Sequence, residues 1–288
     1  MRLQKEEKIS LSSSCRLFGI SRQSIYQSIS RQVKRHKELE PVLSMVDTIR
    51  RDQPRIGTRK LYYLLSEDFK SNGIKLGRDG LFDYLREKRQ LVLPKKNYTK
   101  TTNSKHWLRK HPNLFKDIDL TRPEQAFVSD ITYIKSRERT HYLSLITDAF
   151  SRKIMGYKLS DDMSAESVVL ALEMAIKKRK TKLPAIHHSD RGLQYCSNIY
   201  QEKLNKSNIT PSMTDGYDCY QNALAERING ILKQEFLVNK CNNGKELETL
   251  IKESIDTYNQ KRPHLNLEMK TPNFVHEKTC EDIFTGFN

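Results

Sequence analysis

Residues 125–160, "QAFVSDITYIKSRERTHYLSLITDAFSRKIMGYKLS", set the architecture of the chain. Three short segments rich in Val, Ile, Tyr and Thr are separated by polar turns at "SRER" (136–139) and "DAFSR" (148–152). That pattern predicts an antiparallel three-strand meander. Downstream the period changes. "SAESVVLALEMAIKKRK" (164–180) places Val168, Leu172 and Ala175 on one helical face and ends in basic residues, which suit a helix C-terminus. A short strand at "PAIHHSD" (184–190), a helix around "NIYQEKLNKSN" (198–208), a strand at "ITPSM" (209–213) and a helix at "YQNALAERINGILKQEF" (220–236) follow.

The order β-β-β-α-β-α-β-α predicts an α/β fold with a ribonuclease-H-like mixed five-stranded sheet flanked by helices. Its acids point to a use for that sheet. Asp130 interrupts an apolar-rich first strand, where a carboxylate is costly unless it faces a metal, a partner or solvent. Asp190 ends the strand "AIHHSD" just before a loop, where functional groups of α/β sheets tend to emerge. Glu226 follows after 35 intervening residues. On its helix Leu224, Ile228, Ile231 and Phe236 form an apolar side, while Asn222, Glu226, Asn229 and Lys233 advance by four, three and four residues along another. Glu226 and Lys233 thus stand two turns apart, facing one place.

Three hard carboxylates suit Mg²⁺, which keeps water or phosphate in its remaining positions. Two such ions about 3.5 to 4 Å apart can activate one oxygen and steady the leaving oxygen of an in-line phosphodiester displacement. Lys233 offers a point charge for a phosphate beside them. Taken singly, each acid has a plainer reading: Asp130 as a strand-edge acid, Asp190 as a turn residue before Arg191-Gly192, and the Glu226 row as a solvated helix face. Their order and spacing, and the basic N-terminal region, favour the site. His187 and His188 read as packing or hydrogen-bonding groups, and Asp148 and Asp161-Asp162 as turn residues. Tyr258, Asn259, Arg262 and His264 are expected to fix the C-terminal segment to the core.

The net charge of +16 is unevenly spread. Residues 1–110 hold 26 Lys and Arg against 11 Asp and Glu, a surplus of 15, and the remaining residues are almost balanced at 25 against 24. Such asymmetry points to a basic module that holds a polyanion. Within it, "SLSSSCRLFGISRQSIYQSI" (10–29) has the rhythm of a helix-turn-helix. Cys15, Leu17 and Phe18 are expected to face inward, Gly19 to turn, and Ser21 to cap a second helix carrying Ile25. Arg22, Gln23 and Ser24 then fall in the first turn of the recognition helix, where base edges are met. Helical patterns at 38–51, 57–69 and 77–91 follow, with Leu61, Leu64 and Leu65, and again Leu81, Phe82 and Leu85, at helical spacing. The expected division is a helix-turn-helix segment (1–33), a basic helical DNA-binding domain (34–95), a basic linker (96–120), a catalytic core (121–280) and a tail (281–288). The five cysteines are far apart and never in a CxxC pair, so they read as free thiols in a reducing compartment, with no zinc or disulfide spacing. No run approaches the ~18 apolar residues of a membrane span, and the N-terminus lacks a signal-peptide core.

Four motifs in order, "SDITYI" around Asp130, "HSDRGLQY" around Asp190, "YQNALAERINGILKQEF" around Glu226 and the tail "YNQKRPHLNLEMKTP", resemble transposases of the insertion-sequence-three family, open-reading-frame-B type. That family shares its catalytic core with retroviral integrases. "PRIGTRKLYYLL" (54–65), with Arg59 and Lys60, is similar to the helical region upstream of that core. The resemblance implies that Asp130, Asp190 and Glu226 are catalytic residues binding divalent metal, Mg²⁺ or Mn²⁺, two ions per site. It implies that Lys233 contacts DNA near the cut, and Asn222, Arg59 and Lys60 are taken as DNA contacts beside Arg22, Gln23 and Ser24. Gln221 stands where many members have Asp. The implied function is strand cleavage and strand transfer at element ends, by a homo-oligomer on terminal inverted repeats and target DNA, in a bacterial cytoplasm at the nucleoid. An upstream open-reading-frame-A product is a possible partner. The alternative is a non-catalytic DNA-binding regulator, or the catalytic half of a frameshift fusion.

Overall fold

The computed structural model describes residues 10–93, 109–215 and 219–285. Four helices open it: α1 (Leu11–Leu17), α2 (Arg22–Asp52), α3 (Thr58–Ser71) and α4 (Arg78–Glu87). Ser21 caps α2, its hydroxyl accepting from the Ser24 amide at 3.1 Å, and Gly19 makes the preceding turn at φ +64°, a backbone region that favours a residue without Cβ.

Two features differ from expectation. Cys15 is buried, but Leu17 and Phe18 are 78% and 62% exposed. The reason is helical geometry: residues two apart point to nearly opposite sides, and Phe18 already caps the helix end. Second, α2 runs unbroken for 31 residues through Pro41, so the boundary drawn at residue 33 falls inside one helix. Only its C-terminal half is buried. Leu39, Val42 and Val46 pack there with Ile56, Leu61, Leu65, Phe69, Leu81 and Leu85 from the turn before α3, α3 itself and α4, giving the helical module its own core.

Of the linker, residues 96–108 with Trp107 lie outside the described residues. From residue 109 the chain follows the second module without a regular element. The Leu114 amide donates to Ser212 Oγ at 2.9 Å, and Phe115 stacks on His188 with ring centroids 5.0 Å apart.

The second module is a five-stranded sheet of order β3-β2-β1-β4-β5. Its strands are β1 (Ala126–Lys135), β2 (Thr140–Asp148), β3 (Ile154–Ser160), β4 (Ala185–Ser189) and β5 (Ile209–Met213). The first three form the antiparallel meander, and β4 and β5 add parallel to β1. Helices α5 (Ala165–Lys178), α6 (Leu193–Cys196) and α7 (Asn198–Lys206) cover one face, burying Phe127, Ile146 and Met155 against Val168, Leu172 and Tyr200. The other face buries Leu143, Leu145 and Ile154 under α8 (Ala223–Ile231), a π-helical turn at Leu232–Phe236, and α9 (Gly244–Lys261). Because β1 is covered on both sides, its residues alternate between two cores rather than between core and water. Gly156 on β3 permits the close approach of α5: a Cβ there would lie 2.1 Å from the Ala171 carbonyl oxygen.

The C-terminal helix α10 (Pro272–Thr285) closes the module beside the N-terminal end of β1. The tail was expected to fix this region to the core, and the contacts are there. Asn259 accepts from the Ile154 amide at 2.9 Å and donates to its carbonyl at 3.0 Å, and the Tyr258 hydroxyl donates to the Arg152 carbonyl at 2.9 Å. Asp148 is more than a turn residue. It is fully buried and accepts from the Glu124 and Ser151 amides, both at 2.7 Å.

Candidate active site

The register of β1 against β4 pairs Ala126 with Ile186, Phe127 with His187 and Val128 with His188. Asp190 follows β4 directly, and extending the offset of sixty past the last pair points it toward Asp130, on whose carboxyl its charge acts. Neighbouring strands lie about 4.8 Å apart, and even steps along both keep the two carboxylates on the same face. That face is the one under α8.

The polar row of α8 runs along β1. Asn222 donates to the Ser129 carbonyl at 3.0 Å, Asn229 to Asp130 Oδ2 at 2.7 Å, and Lys233 Nζ to Thr132 Oγ1 at 3.0 Å. Glu226, between the two asparagines, is exposed and adds its charge to the pair of aspartates. The Gly192 amide, from the loop after β4, donates to Asp190 Oδ1 at 3.0 Å.

This crowding of acids has an electrostatic consequence. The Asp130 carboxyl is pushed up to about 7, first by desolvation, then by Asp190 and Glu226, with the Asn229 amide acting against both. Glu226 is raised by desolvation and by Asp190. Lys233 is lowered by desolvation, with Asp130 opposing. Such a site calls for added positive charge. Three oxygen donors of this kind fit a hard divalent cation, so the residues present suit the metal that the acids imply. Among the described residues only Glu124, His276 and Cys280 bring three candidate ligand atoms within 4.8 Å of one another, so the three acids are spread more widely than that.

The histidines stand outside this group. His187 is buried between Ser129 Oγ at 3.0 Å and the Tyr200 hydroxyl at 2.8 Å, and His188 between Ser212 Oγ at 2.9 Å and the Gln221 carbonyl at 3.0 Å. They brace β4 from both faces, which places Asp190.

Models of an integrase core domain match residues 121–219 and 207–272. Over 269 residues the chain is 34% identical to the insertion element IS600 uncharacterized 31 kDa protein of Shigella sonnei, covering 92% of this chain and 97% of the relative. The chain belongs to the IS3 family of DDE transposases. Over 235 residues it is 28% identical to the transposase InsF for insertion sequence IS3A of Escherichia coli (strain K12), covering 80% of each chain. Among solved structures, the HTLV-2 integrase catalytic core domain in complex with magnesium is 23% identical with a TM-score of 0.44, over 54% of this chain and 97% of that one. The enzyme is accordingly a divalent-metal-dependent polynucleotidyl transferase that binds DNA, and no helix among the described residues is long and apolar enough to cross a membrane.

The transposase's other expected DNA contacts fall into two groups. Arg22, Gln23, Ser24 and Arg59 are exposed, the first three in the opening turn of α2. Asn222 and Lys60 are not on that surface. Asn222 is buried with its amide on β1, because its place at the start of α8 turns it under the site. Lys60 reaches back to Glu235 at 3.4 Å, where Arg262 also holds that carboxylate at 2.7 and 2.8 Å. This ion network joins the two modules, and the Arg55 amide adds a bond to the Glu235 carbonyl at 3.2 Å. Glu235 was not singled out from the sequence. Its position in the π-helical turn, where the bonding widens to five residues, is invisible to a 3.6-residue period.

Proposed function

We propose that Asp130, Asp190 and Glu226 together hold two Mg²⁺ or Mn²⁺ ions, and that this site cleaves element-end DNA and joins the freed 3′-hydroxyl to target DNA. The observation that carries the reading is the convergence of three acids: Asp130 on β1, Asp190 directly after the neighbouring parallel strand β4, and Glu226 on α8, with the Asp130 carboxyl pushed up to about 7 by desolvation and then by the charges of Asp190 and Glu226. When bound, the ions supply Lewis-acid activation of the attacking oxygen and stabilisation of the leaving one.

The protein's part is positioning. Asp130 sits on β1 and Asp190 directly after β4, so the sheet positions both, and the Asn229 amide donates to Asp130 Oδ2. Glu226 comes from a helix anchored at both ends of its polar row, by Asn222 on Ser129 and Lys233 on Thr132. Lys233 then offers its ammonium to a phosphate next to the reacting one, as a point charge rather than a fork. Arg22, Gln23, Ser24 and Arg59 contact terminal-repeat DNA through the helical module, residues 34–95 with the preceding helix-turn-helix, while residues 121–280 supply the chemistry. Two element ends must be brought together, which calls for a homo-oligomer on DNA, and an upstream open-reading-frame-A product fits as a second component. Such an assembly acts on nucleoid DNA.

The test is strand transfer of labelled element-end DNA with Mg²⁺, run beside Glu226→Gln. Wild type is expected to give joined product and the variant none, with end binding nearly equal. A fully active Glu226→Gln would remove that residue from the site. Binding without joining by both would make the chain the catalytic half awaiting its upstream partner, or a regulator.

A further inference from the structure

Away from the catalytic acids, on the opposite end of the sheet's first strand, a second cluster is closed off from solvent. Glu124, Asp148, Ser151 and His276 are fully buried and Cys280 is 1% exposed. Glu124 precedes β1 in a left-handed backbone conformation at φ +59°, a strained state for a residue with a side chain. Its Oε1 accepts from the Lys180 amide at 2.7 Å, and its Oε2 from the amide and hydroxyl of Thr181, both at 2.8 Å.

The protons around His276 can be placed from its neighbours. The Ser151 hydroxyl lies 2.5 Å from Asp148 Oδ2, and a carboxylate only accepts, so the serine donates there. Ser151 Oγ is then an acceptor for His276 Nδ1 at 3.0 Å. In a neutral ring this leaves Nε2 as a lone pair. Nε2 faces Glu124 Oε1 at 3.4 Å, a separation that a shared proton or a metal ion can bridge. With a neutral ring two acceptors confront each other in a buried site, which either a proton on Nε2 or a metal cation between them relieves. Cys280 lies one helical turn beyond His276 on the same side of α10, and Glu124, His276 and Cys280 bring their ligand atoms within 4.8 Å of one another.

We propose that Glu124 Oε1, His276 Nε2 and Cys280 Sγ bind a zinc-class divalent ion that staples α10 to the start of β1. A mixed oxygen, nitrogen and sulfur set suits borderline-soft Zn²⁺ and not the Mg²⁺ of the catalytic acids, and a water completes the tetrahedron. The hydrogen bond from Nδ1 through Ser151 to Asp148 is the outer-shell support that metal-bound histidines have. Charge is conserved. The competing occupant is a proton on Nε2, worth one positive charge, and Zn²⁺ with the Cys280 thiolate is also worth one. On binding, the Nε2 proton and the thiol proton leave to solvent. The Arg179 guanidinium, whose Nε lies 3.8 Å from Glu124 Oε2, and the nearby Lys153 with Glu277 are unchanged by the exchange.

The experiment is a titration of the metal-stripped full chain with Co²⁺. One equivalent is expected to produce a near-ultraviolet thiolate-to-cobalt charge-transfer band with intense visible bands of tetrahedral Co²⁺, discharged by Zn²⁺. Cys280→Ser loses the charge-transfer band, and Glu226→Gln retains it. No such band in the wild type would mean that a proton alone fills the site, a result that does not depend on any variant folding. A band undiminished in Cys280→Ser would assign the metal to another cysteine and overturn the proposal.

Discussion

The Asp130 carboxyl, ordinarily near 3.8, is held at about 7 by burial and by Asp190, and this has a cost in stability with a definite sign. Between those two values the folded chain binds a proton that the unfolded chain has released. The stabilisation is complete below about 3.8 and is lost as pH rises through 7, so at neutral pH without metal the site opposes folding. Asp130→Asn is therefore expected to raise the Tm of metal-free protein at pH 8 and leave it nearly unchanged at about pH 4, while abolishing strand transfer. Thermal melts in chelator at the two pH values check this, and an equal Tm difference at both would show that the charge is not the cause. Added Mg²⁺ is expected to narrow the gap at pH 8, because a ligand that binds only the folded site stabilises it. At this scale the sequence put the three acids and Lys233 in one group, and in the structure Asp190 and Glu226 act on the Asp130 carboxyl while Lys233 bonds Thr132 on the same strand. It could not show that Asn222 and Asn229, in the same row, turn down to Ser129 and Asp130, because side-chain direction depends on what lies beneath the helix.

At the scale of elements, the fit of α5 on β3 rests on Gly156. A Cβ at that position would sit 2.1 Å from the Ala171 carbonyl and 2.8 Å from the Ala175 amide, both backbone atoms that cannot swing aside. Gly156→Ala is expected to cost about 3 kcal/mol or more, the upper range for overpacking a core. Urea unfolding measures it, and a loss under about 1 kcal/mol would mean that the helix shifts freely. The meander, the helices and both parallel strands were legible because their apolar residues recur at periods of two or 3.6 and their turns are polar. The N-terminal hairpin was legible only in part: its cap and turn residues follow local rules, but Leu17 and Phe18 were assigned inward by apolar character, and short α1 cannot turn them to the same side as Cys15. The π-helical turn escaped the periodic reading altogether, and with it the role of Glu235.

Across the whole molecule, the cationic surplus belongs to the helical module and the linker after it, and the acid site to the sheet module, and Glu235 with Lys60 and Arg262 fastens the two modules together. That joint takes Lys60 out of the DNA-facing charge, whereas Arg22 and Arg59 remain exposed. Each phosphate contact adds roughly one unit to the slope of log affinity against log salt. Arg22→Ala and Arg59→Ala are expected to weaken end binding and to lower that slope by about one each, and Lys60→Ala to leave it unchanged. Equal slopes for all three variants would place the DNA elsewhere on the module.

The sequence by itself determined the order of the core elements, the asymmetry of charge and the spacing of the three acids, since each is carried by local periodicity, composition or spacing along the chain. Only the tertiary structure decided which groups meet across long separations. The sixty-residue offset between β1 and β4 sets Asp190 beside Asp130, and the return of α10 to the start of β1 brings Cys280 and His276 to Glu124, more than 150 positions away in number. Strand register and helix docking are set by burial of apolar surface summed over the whole core, and no local pattern encodes which distant polar groups that burial draws together.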